Sequence, residues 1–472
     1  MNIPRLLWVQ LKSHPLGAII VAIALLFFAS SSIRHALFQS SAWDLAIFDQ
    51  AVYLIGQNQS PISSLMGFHI LGDHAALVLY PLALLYKIYP DVHWLLAVQA
   101  LALALGALPT WYLSLEAGLK KTQALAMAAV YLLYPLVFNI NLFDFHPEVF
   151  ALPGILAAVL AARLGAIRWF CVWIILVLSC KAVLALTVAT MGLWLLVFEK
   201  RRLCGAIALF SGIAWFIIAT GFIIPFFGGE LATIGRHLSR YQHLGNSFSE
   251  IVKNLLLQPG LFVKSLFSLA NLEYLVLLLA PIIWGIYPQH LTPLVGAIPA
   301  LAMNLLADES SQKNLVHQYS LPVLPFLLLA VISSLAARRG WLRSRGIIIW
   351  SLVAFLALAK YGYFGSIYLN SLDTWKGTRV ASAQIQTSGG VLTTHNIAPH
   401  LAHRSLIKFT NADSPPDELN KFEYILLNLR HPGWKSSREF AESLVNKLQD
   451  NSKFKLKFKQ DDVYLFSQTN RS

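Results

Sequence analysis

Apolar residues fill long stretches of this chain, and the polar ones gather in clusters between them. The apolar windows fall at roughly 16–35, 75–90, 93–115, 123–141, 149–164, 168–180, 183–198, 204–227, 272–287, 291–306, 318–337 and 346–368. A hydrocarbon core takes about twenty apolar residues per crossing helix. Lipid offers the backbone no hydrogen-bond partner, so each crossing segment must be helical. Most windows therefore predict membrane spans. The 75–90 window is short, carries Lys87 and ends at Pro90, which predicts a helix lying against the membrane surface. Segment 44–56, apolar at Leu45, Ile47, Phe48, Val52 and Ile55 behind Trp43, predicts a second surface helix with an interfacial anchor. The 168–198 stretch is too long for one span and too short for two ordinary ones, so Lys181 predicts a turn between two short helices.

The pattern changes near residue 370. Stretches 391–394, 406–409, 424–427 and 463–466 read as short strands, and Glu439 to Leu448 as a helix. Turns are expected at Pro399 and at Ser414-Pro415-Pro416. The fold class is thus an all-α polytopic membrane domain over 1–369, followed by a small soluble α/β domain over 370–472.

Charge supplies the topology. Of the 472 residues 57% are hydrophobic and only 12% charged, against about a quarter charged in a soluble domain. Lys and Arg concentrate in short loops: Arg5/Lys12, Lys120/Lys121, Arg163/Arg168, Lys200/Arg201/Arg202 and Arg338/Arg339/Arg343/Arg345. The positive-inside rule puts all five in the cytoplasm. Lys12 and Lys120 must then be separated by an even number of crossings, so one of the three windows between them does not span, and 75–90 is that window. About eleven spans result. Segments 36–92, 142–148, 228–271, 307–317 and the C-terminal domain face outward, across a plasma (inner) membrane. The formal charge of +13 is explained by these loops. No basic stretch interleaved with aromatics suggests nucleic acid. Cys171, Cys180 and Cys204 form no CxxC pair, so neither a disulfide framework nor a zinc knuckle is expected.

The remaining ionisable residues form outer-side clusters, where charge beside a bilayer needs a reason. Asp44 suits a general base or metal carboxylate, and equally an N-cap of the 44–56 helix; Asp49 reads as a solvated face residue. Asp73 and His74 suit a metal or a phosphate, or a polar helix entry. In Asp144-Phe145-His146-Pro147-Glu148, three ionisable groups flank a turn, and Asp144 and His146 alternate with Phe145 on one side of an extended loop. Glu148 alternatively gains only from the helix dipole. Lys181 suits a lipid phosphate, or snorkelling to the interface. Arg236, His237, Arg240, Tyr241 and His243 form a basic stretch able to steer a phosphate, or a solvated loop. His317 opens a span from outside. His400 and His403 give only two ligands, which favours a structural role.

Several segments occur in a telling order: Trp-Asp-Leu-Ala-Ile-Phe-Asp-Gln from Trp43, Gly-Asp-His at 72–74, Phe-Asp-Phe-His-Pro-Glu ending at Glu148, His-Gln-Tyr-Ser from His317, and Ala-Pro-His-Leu-Ala-His-Arg ending at Arg404. Over most of the chain they resemble the bacterial membrane-protein family of domain-of-unknown-function 2079. That family tends to carry acids after the lysine of the Lys181 segment, where this chain has Ala182 and Val183. The family is similar in layout to the GT-C glycosyltransferases. This resemblance implies a GT-C-like enzyme transferring a sugar from a polyprenyl-phosphate donor to a cell-envelope acceptor, with membrane lipids as its surroundings. By position it implies Asp44, Asp144 and Glu148 as catalytic acids. Lys181, Arg236 and Arg240 would hold the donor phosphate. His74, Asp73 and His146 would hold a divalent metal (Mg, Mn or Zn). Asp44, His74, Asp144 and His146 are then expected to line one cavity. The alternatives are a non-catalytic binder or transporter of a lipid-linked saccharide, and an assembly platform of the cell envelope.

Overall fold

A computed structural model describes residues 15–229, 238–416 and 418–469, and the chain divides into two compact units. The first comprises the chain up to Phe28, Leu71–Val78 and Ala97–Lys360. The second comprises Ala29–Ile70, Leu79–Leu96 and the chain from Tyr361. The composition shift near residue 370 marks only the last of these pieces.

The first unit is helical. Among the described residues, four helices are long and apolar enough to cross a membrane: Pro15–Ala36, His93–Glu116, Lys121–Leu142 and Arg202–Gly228. Two bent pairs, Pro259–Leu266 with Leu269–Gly285 and Ser344–Leu358 with Lys360–Leu369, raise the number to six if each is one span. Shorter apolar helices include Ile167–Cys180 and Leu184–Val197, so the 168–198 stretch does break in two around Lys181. Small residues let helix backbones approach in such a bundle. A Cβ on Gly192 would lie 2.3 Å from the Leu209 nitrogen, so any side chain there would force Leu184–Val197 and Arg202–Ile218 apart. Buried polar groups are tied to backbone carbonyls: the Tyr134 hydroxyl donates to Leu278, and the Asn139 amide to Leu315 at 2.9 Å.

The expected surface helices have different bounds. Segment 44–56 begins with a π turn, Ala42–Ala46, and continues as Ile47–Gly56. Its first turn is capped by the Ser41 hydroxyl, which accepts from the Trp43 N–H at 3.1 Å. Asp44 lies inside that turn and is not the N-cap. The 75–90 window is a short turn of helix, Leu71–His74, and a separate helix, Leu79–Ile88, because Ala75 takes a left-handed φ of 53° that a helix cannot continue through.

The second unit is built on a mixed sheet. A small hairpin pairs β1 (Ile62–Ser63) with β2 (Phe68–His69). The main sheet contains β3 (Val391–Thr393), β4 (Ile407–Phe409), β5 (Tyr424–Asn428), β6 (Phe454–Gln460) and β7 (Val463–Gln468), in the order β4-β3-β5-β7-β6. β3 runs parallel to both β4 and β5, and β7 is antiparallel to β5 and β6. Ala441, Leu444, Val445 and Leu448 recur at helical spacing along Arg438–Gln449 and bury that face against Leu392, Ile425, Leu427 and Phe466. The helix Leu372–Ala383 and strand β6 were not expected from the sequence.

Candidate functional site

The turn before Glu148 is set by backbone geometry. Asp144 takes a left-handed φ of 76°, which Asp tolerates better than most residues. His146 is extended, and Pro147 opens a 3-10 turn, Pro147–Phe150, that carries Glu148. Gln99 clamps the turn from both sides. Its amide donates to the Asp144 carbonyl at 2.7 Å, and its carbonyl accepts from the His146 N–H at 3.0 Å. The left-handed residue breaks the simple alternation expected of an extended loop. Asp144, His146 and Glu148 are all buried, and the His146 ring stacks on Phe143 at 5.2 Å.

Lys181 sits in extended conformation between the two short helices. Its ammonium donates to Glu148 Oε1 at 2.5 Å, and the two side chains are 13% and 6% exposed. Lys181 therefore does not snorkel, and Glu148 is paired with a full cation as well as sitting at a helix start. The Lys181 turn is joined to the Asp73/His74 turn by backbone. Ala182 N–H donates to the His74 carbonyl at 2.8 Å, and Val78 N–H to the Ser179 carbonyl at 3.0 Å. Gly72 lets the same turn pack against the end of Arg202–Gly228: a Cβ there would meet Gly228 Cα at 2.4 Å. Glu148 lies within electrostatic range of His74 and His146 as well as Lys181. Lys181 in turn feels Tyr319 and Asp73. The Arg240 guanidinium stands 5.2 Å from the Tyr319 ring centre. Arg236 and His237 lie outside the described residues. Phe143 also touches His317, 4.3 Å between ring centres, and His317 is held by the Asn314 side chain at 2.9 Å.

The first unit thus brings Asp73, His74, His146, Glu148 and Lys181 into one charged network, with Arg240 linked through Tyr319. The expected metal set is not supported. Among the described residues, no three His, Cys, Asp or Glu side chains converge to hold an ion. Asp73 is instead turned onto His74 at 3.1 Å, and a lysine ammonium occupies the Glu148 carboxylate where a cation would compete.

Asp44 and Asp49 belong to the second unit. Asp49 is 1% exposed, which overturns the solvated reading. Its Oδ1 accepts from the Tyr86 hydroxyl at 2.6 Å and stands 3.0 Å from His403 Nε2. His403 stacks flat on Tyr53 at 4.7 Å. The i, i+4 spacing of Asp49 to Tyr53 allows one helix face to hold both; the 354-residue separation from His403 hid the pair from sequence reasoning. Burial would lower the His403 pKa, but the Asp49 carboxylate outweighs it and holds it above the ordinary value. The half-buried His400 stacks on His35, 3.9 Å between ring centres, and desolvation pulls it down to about 4. His395, packed between Phe409 and Trp434, is also pulled down to about 4 by burial, with Asp44 opposing the shift.

The fold has solved counterparts. The structure is similar to the crystal structure of ArnT from Cupriavidus metallidurans bound to undecaprenyl phosphate, at 13% identity and a TM-score of 0.54, over 95% of this chain and 97% of that one. The oligosaccharyltransferase of Archaeoglobus fulgidus, in complex with Zn and sulfate, matches at 12% identity and a TM-score of 0.46, over 87% of this chain and 68% of that one. The ArnT likeness carries the fold assignment, a GT-C glycosyltransferase-like membrane architecture. No curated protein sequence matches the chain. The family model described as predicted membrane protein (DUF2079) matches residues 34–465, and the chain belongs to that family.

Proposed function

We propose that this protein is a glycosyltransferase of the outer face of the plasma membrane, moving a sugar from a polyprenyl-phosphate donor to a cell-envelope acceptor. The observation that carries the reading is the buried Lys181–Glu148 pair, with His74 and His146 in electrostatic range, in a helical unit of GT-C-like fold. Ionisable groups are rarely kept in such surroundings without a task. The undecaprenyl phosphate bound to ArnT supports the choice of donor class.

In this reading the donor phosphate draws Lys181 away from Glu148 and is also met by Arg240. The acceptor hydroxyl oxygen attacks the anomeric carbon, and the carbon–oxygen bond to the phosphate breaks with its electron pair on the phosphate. Lys181 and Arg240 stabilise that charge as it grows. Glu148, released from its ammonium partner, takes the acceptor proton. Asp144 acts by shaping the turn that aims His146 and Glu148. Asp44, in the other unit, is a second candidate acid. No step is routed through a metal. Transfer of labelled sugar from a polyprenyl-phosphate donor panel by the purified protein tests the reading, with Glu148→Gln and Lys181→Met as controls that should slow it by roughly 10²-fold or more. Specific donor binding with no bond cleavage by the wild type would favour a binder or transporter.

A further inference from the structure

The sheet of the second unit carries a crevice that the transfer reading does not use. β3 stands between β4 and β5 and is parallel to both. The chain leaves β3 for β4 on one side, and its next strand, β5, lies on the other. Such a reversal of strand order opens a gap beyond the carboxyl ends of the strands, where open α/β sheets hold their ligands. A cavity of about 370 Å³ lies there, a volume suited to a small organic molecule. Asn396 follows β3, His431 follows β5, and Asn370, Ser371, Trp375 and Thr378 line the same walls.

The crevice is braced from beneath. Asn428, the last residue of β5, donates to the Thr374 hydroxyl at 2.9 Å and accepts from the Arg430 and His431 backbone N–H groups at 3.1 Å. Its charges are matched internally. Arg430 bonds Asp462 at 2.8 Å and Asp373 at 3.3 Å, and His431 Nε2 meets Asp373 Oδ1 at 2.7 Å. The other walls are amides, hydroxyls and an indole, together with the apolar side chains of Phe38, Ile367, Ile397 and Pro432. Trp375 is fixed by its N–H to the Ala36 carbonyl at 2.9 Å. Amide and hydroxyl groups match a ligand rich in hydroxyls, and an aromatic ring matches its C–H face. A charged ligand would have to break an ion pair to gain a partner.

We infer that this crevice, at the carboxyl ends of β3 and β5, is a binding site for a neutral saccharide ring. The inference is independent of sugar transfer in the other unit. Full-length purified protein would be titrated with free glucose, mannose, galactose and N-acetylglucosamine, and with disaccharides of each, using saturation-transfer NMR and calorimetry. At least one should bind saturably, and Asn396→Ala and Asn370→Ala should each weaken it about tenfold, the loss of a hydrogen bond worth about 1.4 kcal/mol. Glu148→Gln should leave this binding unchanged, so a failed transfer reading does not disturb the result. Thermal melts would check that each variant is folded. Should either alanine variant unfold, Ser371→Trp, which fills the cavity, carries the test and should abolish binding. No saturable binding by any of these saccharides would overturn the inference. So would binding that persists in Ser371→Trp, or binding seen only when the same saccharide is attached to a lipid phosphate, since recognition would then lie in the lipid.

Discussion

Lys181 Nζ and Glu148 Oε1 stand 2.5 Å apart, and both side chains are almost wholly shielded from solvent. A surface pair would be worth little, but removing one partner of a buried pair leaves an uncompensated charge and costs about 3–5 kcal/mol. Lys181→Met and Glu148→Gln should differ in consequence. Lys181→Met strands a carboxylate, while Glu148→Gln keeps a polar acceptor for the ammonium. Lys181→Met should lower the unfolding midpoint more, and the double variant should recover part of the loss. A double-mutant cycle in denaturant reads the coupling, and strictly additive effects would contradict the pairing.

Gln99 acts on the site without sharing its charge. Its side chain joins the Asp144 carbonyl to the His146 N–H. Gln99→Ala leaves both buried groups unmatched, at a cost of about 1–3 kcal/mol each. Gln99→Leu, similar in volume, should be nearly as damaging as alanine, and Gln99→Glu should retain only the contact to the His146 N–H. Thermal melts of the three variants give the order; equal stability of Gln99→Leu and wild type would remove the clamp from the account.

His403 gives a pH dependence whose sign is fixed. Asp49 holds its folded pKa above the ordinary value, against burial. Its contribution to stability is therefore fully present below the unfolded pKa of about 6.5 and is lost as pH rises through the raised folded value. The stability difference between wild type and His403→Gln should shrink as pH rises through that raised folded value. His395 and His400, both pulled down to about 4, act oppositely: they destabilise the fold as pH falls from about 6.5 towards 4. Chemical-shift titration of the three histidines separates the contributions.

Asp44 is tested by the isosteric Asp44→Asn. It faces His395 electrostatically and opposes the fall of that pKa, so the substitution should push His395 lower still. If Asp44 rather than Glu148 accepts the one proton that transfer releases, the rate should fall by roughly 10²-fold or more with the fold intact. Wild-type transfer by a folded Asp44→Asn protein would confine Asp44 to tuning His395.

The elements were legible where local pattern decides them. The break at Lys181 followed from window length, and the strand at 424–427 from an unbroken apolar run that proves buried throughout. Strand β6, Phe-Lys-Leu-Lys-Phe-Lys-Gln, was obscured by lysines on an edge strand that is mostly open to solvent. The polar helix Leu372–Ala383 has no apolar stripe to announce it. For the site, residue types pointed to Glu148 and Lys181 separately, and their separation of 33 positions concealed the pairing. Asp49 was misjudged for the same reason: its partners Tyr86 and His403 are 37 and 354 residues away. The metal reading rested on residue types alone, and among the described residues no three such side chains converge: Asp73 turns onto its neighbour His74.

The central claim is that the Lys181–Glu148 centre carries sugar transfer, and its most direct measurement is single-turnover transfer from a labelled polyprenyl-phosphate sugar by purified wild type, Glu148→Gln and Lys181→Met. The account predicts that Glu148→Gln lowers the transfer rate by roughly 10²-fold or more while retaining donor binding, and that Lys181→Met loses donor binding as well. Transfer at the wild-type rate by either folded variant would contradict it.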